Sequence, residues 1–181
     1  MESEINLEII QNKVLFEKIH FQKDLFFELF TEIGNEFPQN MLIKIHPASK
    51  GSKVSQGSNL EKCPYQVLDL IRDFDNKNGF NIRVLNWWGH GLYMIVQVGK
   101  ANHNLEAINK NLLLNNFYLS QHIRPFDYLQ IFESSVLLDS ENHKTHSKAI
   151  DVLITFKKIE ISKTASVKKE ILFLLHQLLD I

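Results

Sequence analysis

Phe80-Asn81-Ile82-Arg83-Val84-Leu85-Asn86-Trp87-Trp88-Gly89-His90-Gly91-Leu92-Tyr93-Met94-Ile95-Val96-Gln97-Val98 is the stretch that decides how this chain folds. Two runs rich in β-branched and aromatic residues meet at Gly-His-Gly, and both tryptophans of the protein stand at that corner. Glycine takes positive φ without a Cβ clash, so Gly89 and Gly91 permit a tight reversal. The stretch predicts an antiparallel hairpin with its bulkiest side chains and a histidine gathered at one end. Adjacent strand residues face opposite ways. One tryptophan is therefore expected in the core, and the other on the far surface, where a helix, a partner or a ligand must cover it or leave it partly exposed.

Toward the N-terminus, Leu7, Ile10, Val14, Leu25, Leu29 and Ile33 recur at helical spacing with charges between them, which predicts an amphipathic helix from Asn6 to about Gly34. Phe16, Ile19 and Phe21 disturb the pattern and suggest a break near His20. Met41 to Ile45 is a short apolar run ending at His46-Pro47, expected as a strand. Lys50 to Asn59 is polar and contains glycine, the composition of a surface loop or irregular ribbon. Pro64 is expected to open a short helix, with Val67, Leu70, Ile71 and Phe74 on one face.

Toward the C-terminus, Asn102 to Asn115 reads as a helix, and Tyr128 to Leu138 as a strand with a mixed reading open. Ile150, Val152, Ile154 and Phe156 alternate with a period of two. Ile159 and Ile161 resume out of step, predicting a β-bulge after Lys157-Lys158. Val167 to Leu179 is a second amphipathic helix. Helices at both ends of antiparallel-looking strands, without βαβ alternation, predict an α+β fold. Its sheet is expected to hold the hairpin at 80–98 and strands at about 41–46, 128–138 and 149–161, with N-terminal, middle and C-terminal helices packed on it. At 181 residues, with no repeat or long linker, positions 1–181 read as one domain.

Composition narrows the function classes. Twenty basic residues against 21 acidic ones give a net charge of −1, so no global field favours nucleic acid or an anionic membrane. A nucleic-acid partner through Lys50, Lys53 and the tryptophans is accordingly disfavoured. The single cysteine, Cys63, makes no intrachain disulfide and fits a reducing compartment. The acidic start, Met1 to Asn6, lacks the basic and apolar regions of a secretory signal, and no apolar run approaches the roughly 20 residues of a membrane span. A cytoplasmic protein without a membrane partner is the expectation.

Four groups of residues are candidates for chemistry. The Lys50–Asn59 ribbon offers ammonium groups and exposed N–H donors to an anion, but it matches neither phosphate-loop pattern. The corner residues Trp87, Trp88, His90 and Tyr93 supply flat apolar surface with polar edges, the materials of a ligand pocket or an interface anchor. Among eight histidines, His143 and His146 lie close together near Asp139 and Glu141, yet no zinc-ligand spacing occurs, so no metal and no cofactor is expected. Asp69, Arg72, Asp73, Asp75 and Arg83 form an acid-and-base set. Arg83 lies in an apolar strand, and if buried it requires a carboxylate or an anionic ligand. Cys63 ahead of Pro64 at an expected helix start gains only the dipole's help toward a reactive thiol. The run Cys63-Pro64-Tyr65-Gln66-Val67-Leu68-Asp69 is distinctive without naming an activity.

The sequence thus points first to a binding or interaction module using the corner and the adjacent ribbon, with candidates His46, Lys50, Lys53, Tyr65, Asp69, Arg83, Trp87, Trp88 and His90. Its partner would be a second copy of the chain or a small anionic ligand. The alternative is an enzyme acting on a small anionic substrate, with His46, Lys50, Lys53, Asp69, Arg83 and His90 converging in one cleft.

Overall fold

The computed structural model describes residues 5–142, 151–160 and 164–180, with side chains in the last stretch from Val167 onward. Seven strands form one sheet: β1 (Lys53–Leu60), β2 (Cys63–Asp73), β3 (Phe80–Trp87), β4 (Gly91–Gly99), β5 (Tyr118–Ser120), β6 (Ser135–Leu137) and β7 (Val152–Ile159). Their order is β1-β2-β3-β4-β7-β5-β6, and every neighbouring pair is antiparallel. Helices α1 (Leu7–Ile10), α2 (Lys13–Asn35), α3 (Gln39–Ile45), α4 (Leu105–Leu114), α5 (Tyr128–Glu133) and α6 (Thr164–Leu179) complete the α+β architecture expected from the sequence. No helix among the described residues is long and apolar enough to cross a membrane.

Both faces of the sheet are covered. On the helical face, Leu68, Ile82, Val84, Met94 and Val96 pack against Phe30 and Ile33 of α2, Leu42 of α3, Ile108 of α4 and Ile171 and Leu175 of α6. On the opposite face, Val67, Leu85, Trp87, Tyr93, Ile95 and Phe156 lie beneath Tyr128 and Ile131 of α5. The hairpin stands as expected, with β3 and β4 paired from Phe80↔Val98 to Trp87↔Gly91. Gly89 and Gly91 take φ of +79° and +131°, conformations that a side chain would strain.

Several local expectations are corrected. Residues 41–46 are not a strand: Gln39–Ile45 is α3, because Leu42 with Met41 and Ile45 can reach the core only from a helix, and a short apolar run does not distinguish the two. Lys50–Asn59 is no loop, since Lys53–Leu60 forms the edge strand β1. The helix expected after Pro64 is the strand β2. Gln66 to Ile71 is buried without interruption, so a strand covered on both faces loses its alternation and imitates helical spacing.

Tyr128–Leu138 is the mixed case, the helix α5 followed by the short β6. The break near His20 is absent. Helix α2 runs unbroken, and the interruption falls before it, where Asn12 caps the Leu15 N–H at 2.9 Å. No bulge follows Lys157-Lys158, because β7 keeps register with β4 from Leu92↔Ile159 to Gly99↔Val152. The apolar phase changes because Phe156 packs toward α5 and Ile159 toward the helical face. Ile150, Ile161, His143 and His146 lie outside the described residues.

Candidate binding site at the hairpin corner

The corner divides its two tryptophans as the strand geometry requires. Trp87 is 1% exposed within the α5-side core. Its Nε1 donates to the Leu60 carbonyl at 3.0 Å, and the His90 imidazole stacks on it at 3.7 Å with planes 14° apart. The Tyr93 ring stacks on Phe132 at 4.1 Å, and its hydroxyl donates to the His90 carbonyl at 3.0 Å. Trp87, His90 and Tyr93 thus join one stacked aromatic layer on the α5 side.

Trp88 is half-buried on the helical side. Its Nε1 donates to Gln66 Oε1 at 2.9 Å, and the same oxygen accepts from Asn86 Nδ2 at 2.8 Å. Gln66 and Asn86 face each other across β2 and β3, so the backbone register builds this amide pair. Gln66 is fully buried, and its Nε2 finds no acceptor among the described residues. Beside Trp88 opens a cleft of about 330 Å³, lined by Gln22 and Phe26 of α2, Asn86, both tryptophans and the two corner glycines. A mainly apolar wall with a few fixed amides has the composition of a small-ligand or side-chain site.

Asp69 and Arg83 meet on the α5 side. Arg83 Nε and Nη2 donate to the two Asp69 oxygens at 2.7 and 2.8 Å, Nη1 donates to the Tyr128 hydroxyl, and Asn81 Nδ2 adds a bond to Asp69 at 3.2 Å. The guanidinium also lies 5.1 Å from the centre of the Phe126 ring. Burial by itself would lower the Arg83 pKa, but its bonds and charge interactions with Asp69 and Tyr128 together hold it above the ordinary value. Burial likewise pushes the Tyr128 hydroxyl up, against the pull of Arg83. The carboxylate that a buried Arg83 requires is therefore Asp69, and no anion is needed.

His46 is 4% exposed and its Nε2 lies 2.7 Å from Asp73 Oδ2, while its Nδ1 has no partner among the described residues. This pair sits past the far end of the sheet from the corner, beside a bulge in β2 where Ile71 and Arg72 both take positive φ. Lys50 and Lys53 are exposed, and Lys53 pairs with Asp69 in register, well away from the corner. Of the six groups of the enzymatic alternative, Lys53, Asp69 and Arg83 share one cross-strand row, while His46 lies near Asp73 at the far end of the sheet and His90 on Trp87 at the corner. A single cleft gathering them is not what this fold builds.

The ribbon also divides, because only its Gln56–Leu60 end reaches the corner, where Gly57 packs on the Tyr65 ring. A cation at the corner is supplied instead by Lys158, with its Nζ 5.9 Å over the Tyr93 ring. Gln22, Phe26, Gln66, Asn86 and Lys158 escaped sequence reasoning. Only the amides interrupting apolar strands gave a signal. Cys63 opens a strand, so no helix dipole acts on its thiol. Among the described residues no group of three or more His, Cys, Asp or Glu is placed to hold a metal. Set against known proteins, the chain matches no family model, no curated protein and no solved structure.

Proposed function

We propose that this protein is a binding module whose site is the cleft between α2 and the β3–β4 corner. It receives a flat apolar group, either a small aromatic molecule with a polar or anionic edge or one large side chain of a partner protein. The observation carrying this reading is the asymmetry of the two indoles. Trp87 borders the cleft but is only 1% exposed beneath His90, whereas Trp88 is half-buried, pinned by Gln66, and lines the same cleft together with Phe26. A pinned ring costs little entropy on binding, which makes it an efficient anchor. The lone thiol suits a cytoplasmic setting for such a module.

The amphipathic anion 1-anilinonaphthalene-8-sulfonate is a direct probe. Its bound emission should saturate, fall several-fold in Trp88→Ala and Phe26→Ala, and persist in Phe21→Ala, which removes an exposed ring elsewhere on α2. Equal emission in Trp88→Ala and the parent would refute the cleft as the site.

A further inference from the structure

The first half of α2 is largely exposed. Nothing in α1 is buried, and the first buried residue of α2 is Phe30. Residues Val14, Lys18, Phe21, Leu25 and Glu28 follow one another at alternating steps of four and three, so they form one stripe. That stripe is turned away from Phe26, Phe30 and Ile33, which face the body. Phe21 and Leu25 are 60% and 42% exposed at its centre.

Charge along α2 is segregated. Lys13, Lys18 and Lys23 lie in the first half with Glu17 as the only acid, and Asp24, Glu28, Glu32 and Glu36 follow. There is no acidic residue in the first turn and no basic residue in the last. This order opposes the helix macrodipole, which favours anions at the N-terminus and cations at the C-terminus. The placement therefore does not serve the isolated helix. Lys13 pairs with Glu17, His20 with Asp24, and Lys168 of α6 with Glu32 and Glu36. Lys18, Lys23 and Glu28 have no ion-pair partner among the described residues.

Read backwards, Lys18–Phe21–Leu25–Glu28 is complementary to itself. An isologous two-fold contact needs this property, because residue i must meet j while j meets i. We propose that the α2 arm is the contact surface of a homodimer in which two copies of this stripe pack antiparallel. Phe21 of each copy then meets Leu25 of the other, and Lys18 meets Glu28, both twice. The basic half of each helix lies along the acidic half of the other, and the two dipoles oppose. The same register carries Val14 and the exposed apolar residues of α1 toward the other copy's α6, which extends the covered area beyond the central four residues. This contact goes beyond the cleft reading, since Gln22 and Phe26 line the cleft on a different side of the helix.

Sedimentation equilibrium on the full chain tests the proposal, with circular dichroism checking that each variant is folded. The parent should run at twice the chain mass at micromolar concentration. Phe21→Asp should be monomeric there, and Lys18→Glu and Glu28→Lys should each weaken the dimer by roughly tenfold or more. The double variant Lys18→Glu/Glu28→Lys should restore it, and the two single variants mixed should form a heterodimer. A monomeric parent, a dimer indifferent to Phe21→Asp, or a double swap no better than the singles would each overturn the proposal. Binding of the anilinonaphthalene probe by folded monomeric Phe21→Asp would show that cleft and dimer contact are separate sites.

Discussion

Trp87 and Trp88 are neighbours in sequence with opposite environments. The side of the corner beneath α5 is filled: His90, Phe132 and Tyr128 surround the Trp87 indole, and its N–H is spent on the Leu60 carbonyl. The side beneath α2 is open, with a cleft whose α2 wall is Gln22 and Phe26. A period of two delivers one ring to each face of a sheet, but only the elements packed above decide which face becomes core. The difference teaches that aromatic density in a sequence marks a locus, while function depends on which of its rings is left without a neighbour.

The largest effect that would break this contrast is on stability. Trp87→Ala should cost about 3–5 kcal/mol in urea unfolding and Trp88→Ala only about 1 kcal/mol, since just one of them empties a sealed core position. Equal losses would mean that the two sides are packed alike. Asp69→Ala should cost about 3–5 kcal/mol by leaving Arg83 buried without its carboxylate, and Arg83→Met combined with Asp69→Leu should recover much of it. Failure of that double variant to recover would give the ion pair a role other than filling the α5 side.

Alkaline unfolding sharpens the same comparison. Burial keeps the proton on Tyr128 above the ordinary phenol range, and burial acts likewise on Tyr93. An unfolded tyrosine ionises near pH 10, so the folded state loses stability as pH rises through about 10, until the buried hydroxyl itself ionises. The fall between about pH 8 and about pH 11 should be smaller in Tyr128→Phe than in the parent. An identical fall would show that Tyr128 is not sealed. The smallest effect lies in the β1–β2 turn, where Glu61 and Lys62 take φ of 47° and 66°. Lys62→Gly should stabilise the protein by about 1 kcal/mol, read as a raised melting temperature.

That turn also explains why part of the fold was hidden. The β3–β4 reversal was legible because glycines occupy its positive-φ positions, whereas Leu60-Glu61-Lys62-Cys63 makes a still tighter two-residue turn without Asn or Gly. The strand β2 imitates a helix in sequence because burial on both faces erases its alternation. The short α3 resembles a strand in sequence because four apolar residues, interrupted by Lys44, carry no period. The long terminal helices and the α+β class came through, since their patterns extend over several turns. For the site, the opposite orientation of the two tryptophans follows from strand geometry alone, while an arginine in an apolar strand implies, if buried, either a carboxylate or an anionic ligand, and packing decides for Asp69. Phe26 and Gln22 as the cleft's other wall did not, because which face of the sheet α2 covers, and where it ends, is set by packing among distant residues.

Single-tryptophan fluorescence tests the central claim most directly. With Trp88 as the only indole (Trp87→Phe), emission should be red-shifted, readily quenched by acrylamide, and altered by the anilinonaphthalene probe. With Trp87 as the only indole (Trp88→Phe), it should be blue-shifted, protected and indifferent to the probe. Two indoles equally protected, or a probe response carried by Trp87, would contradict an open side beside a sealed one.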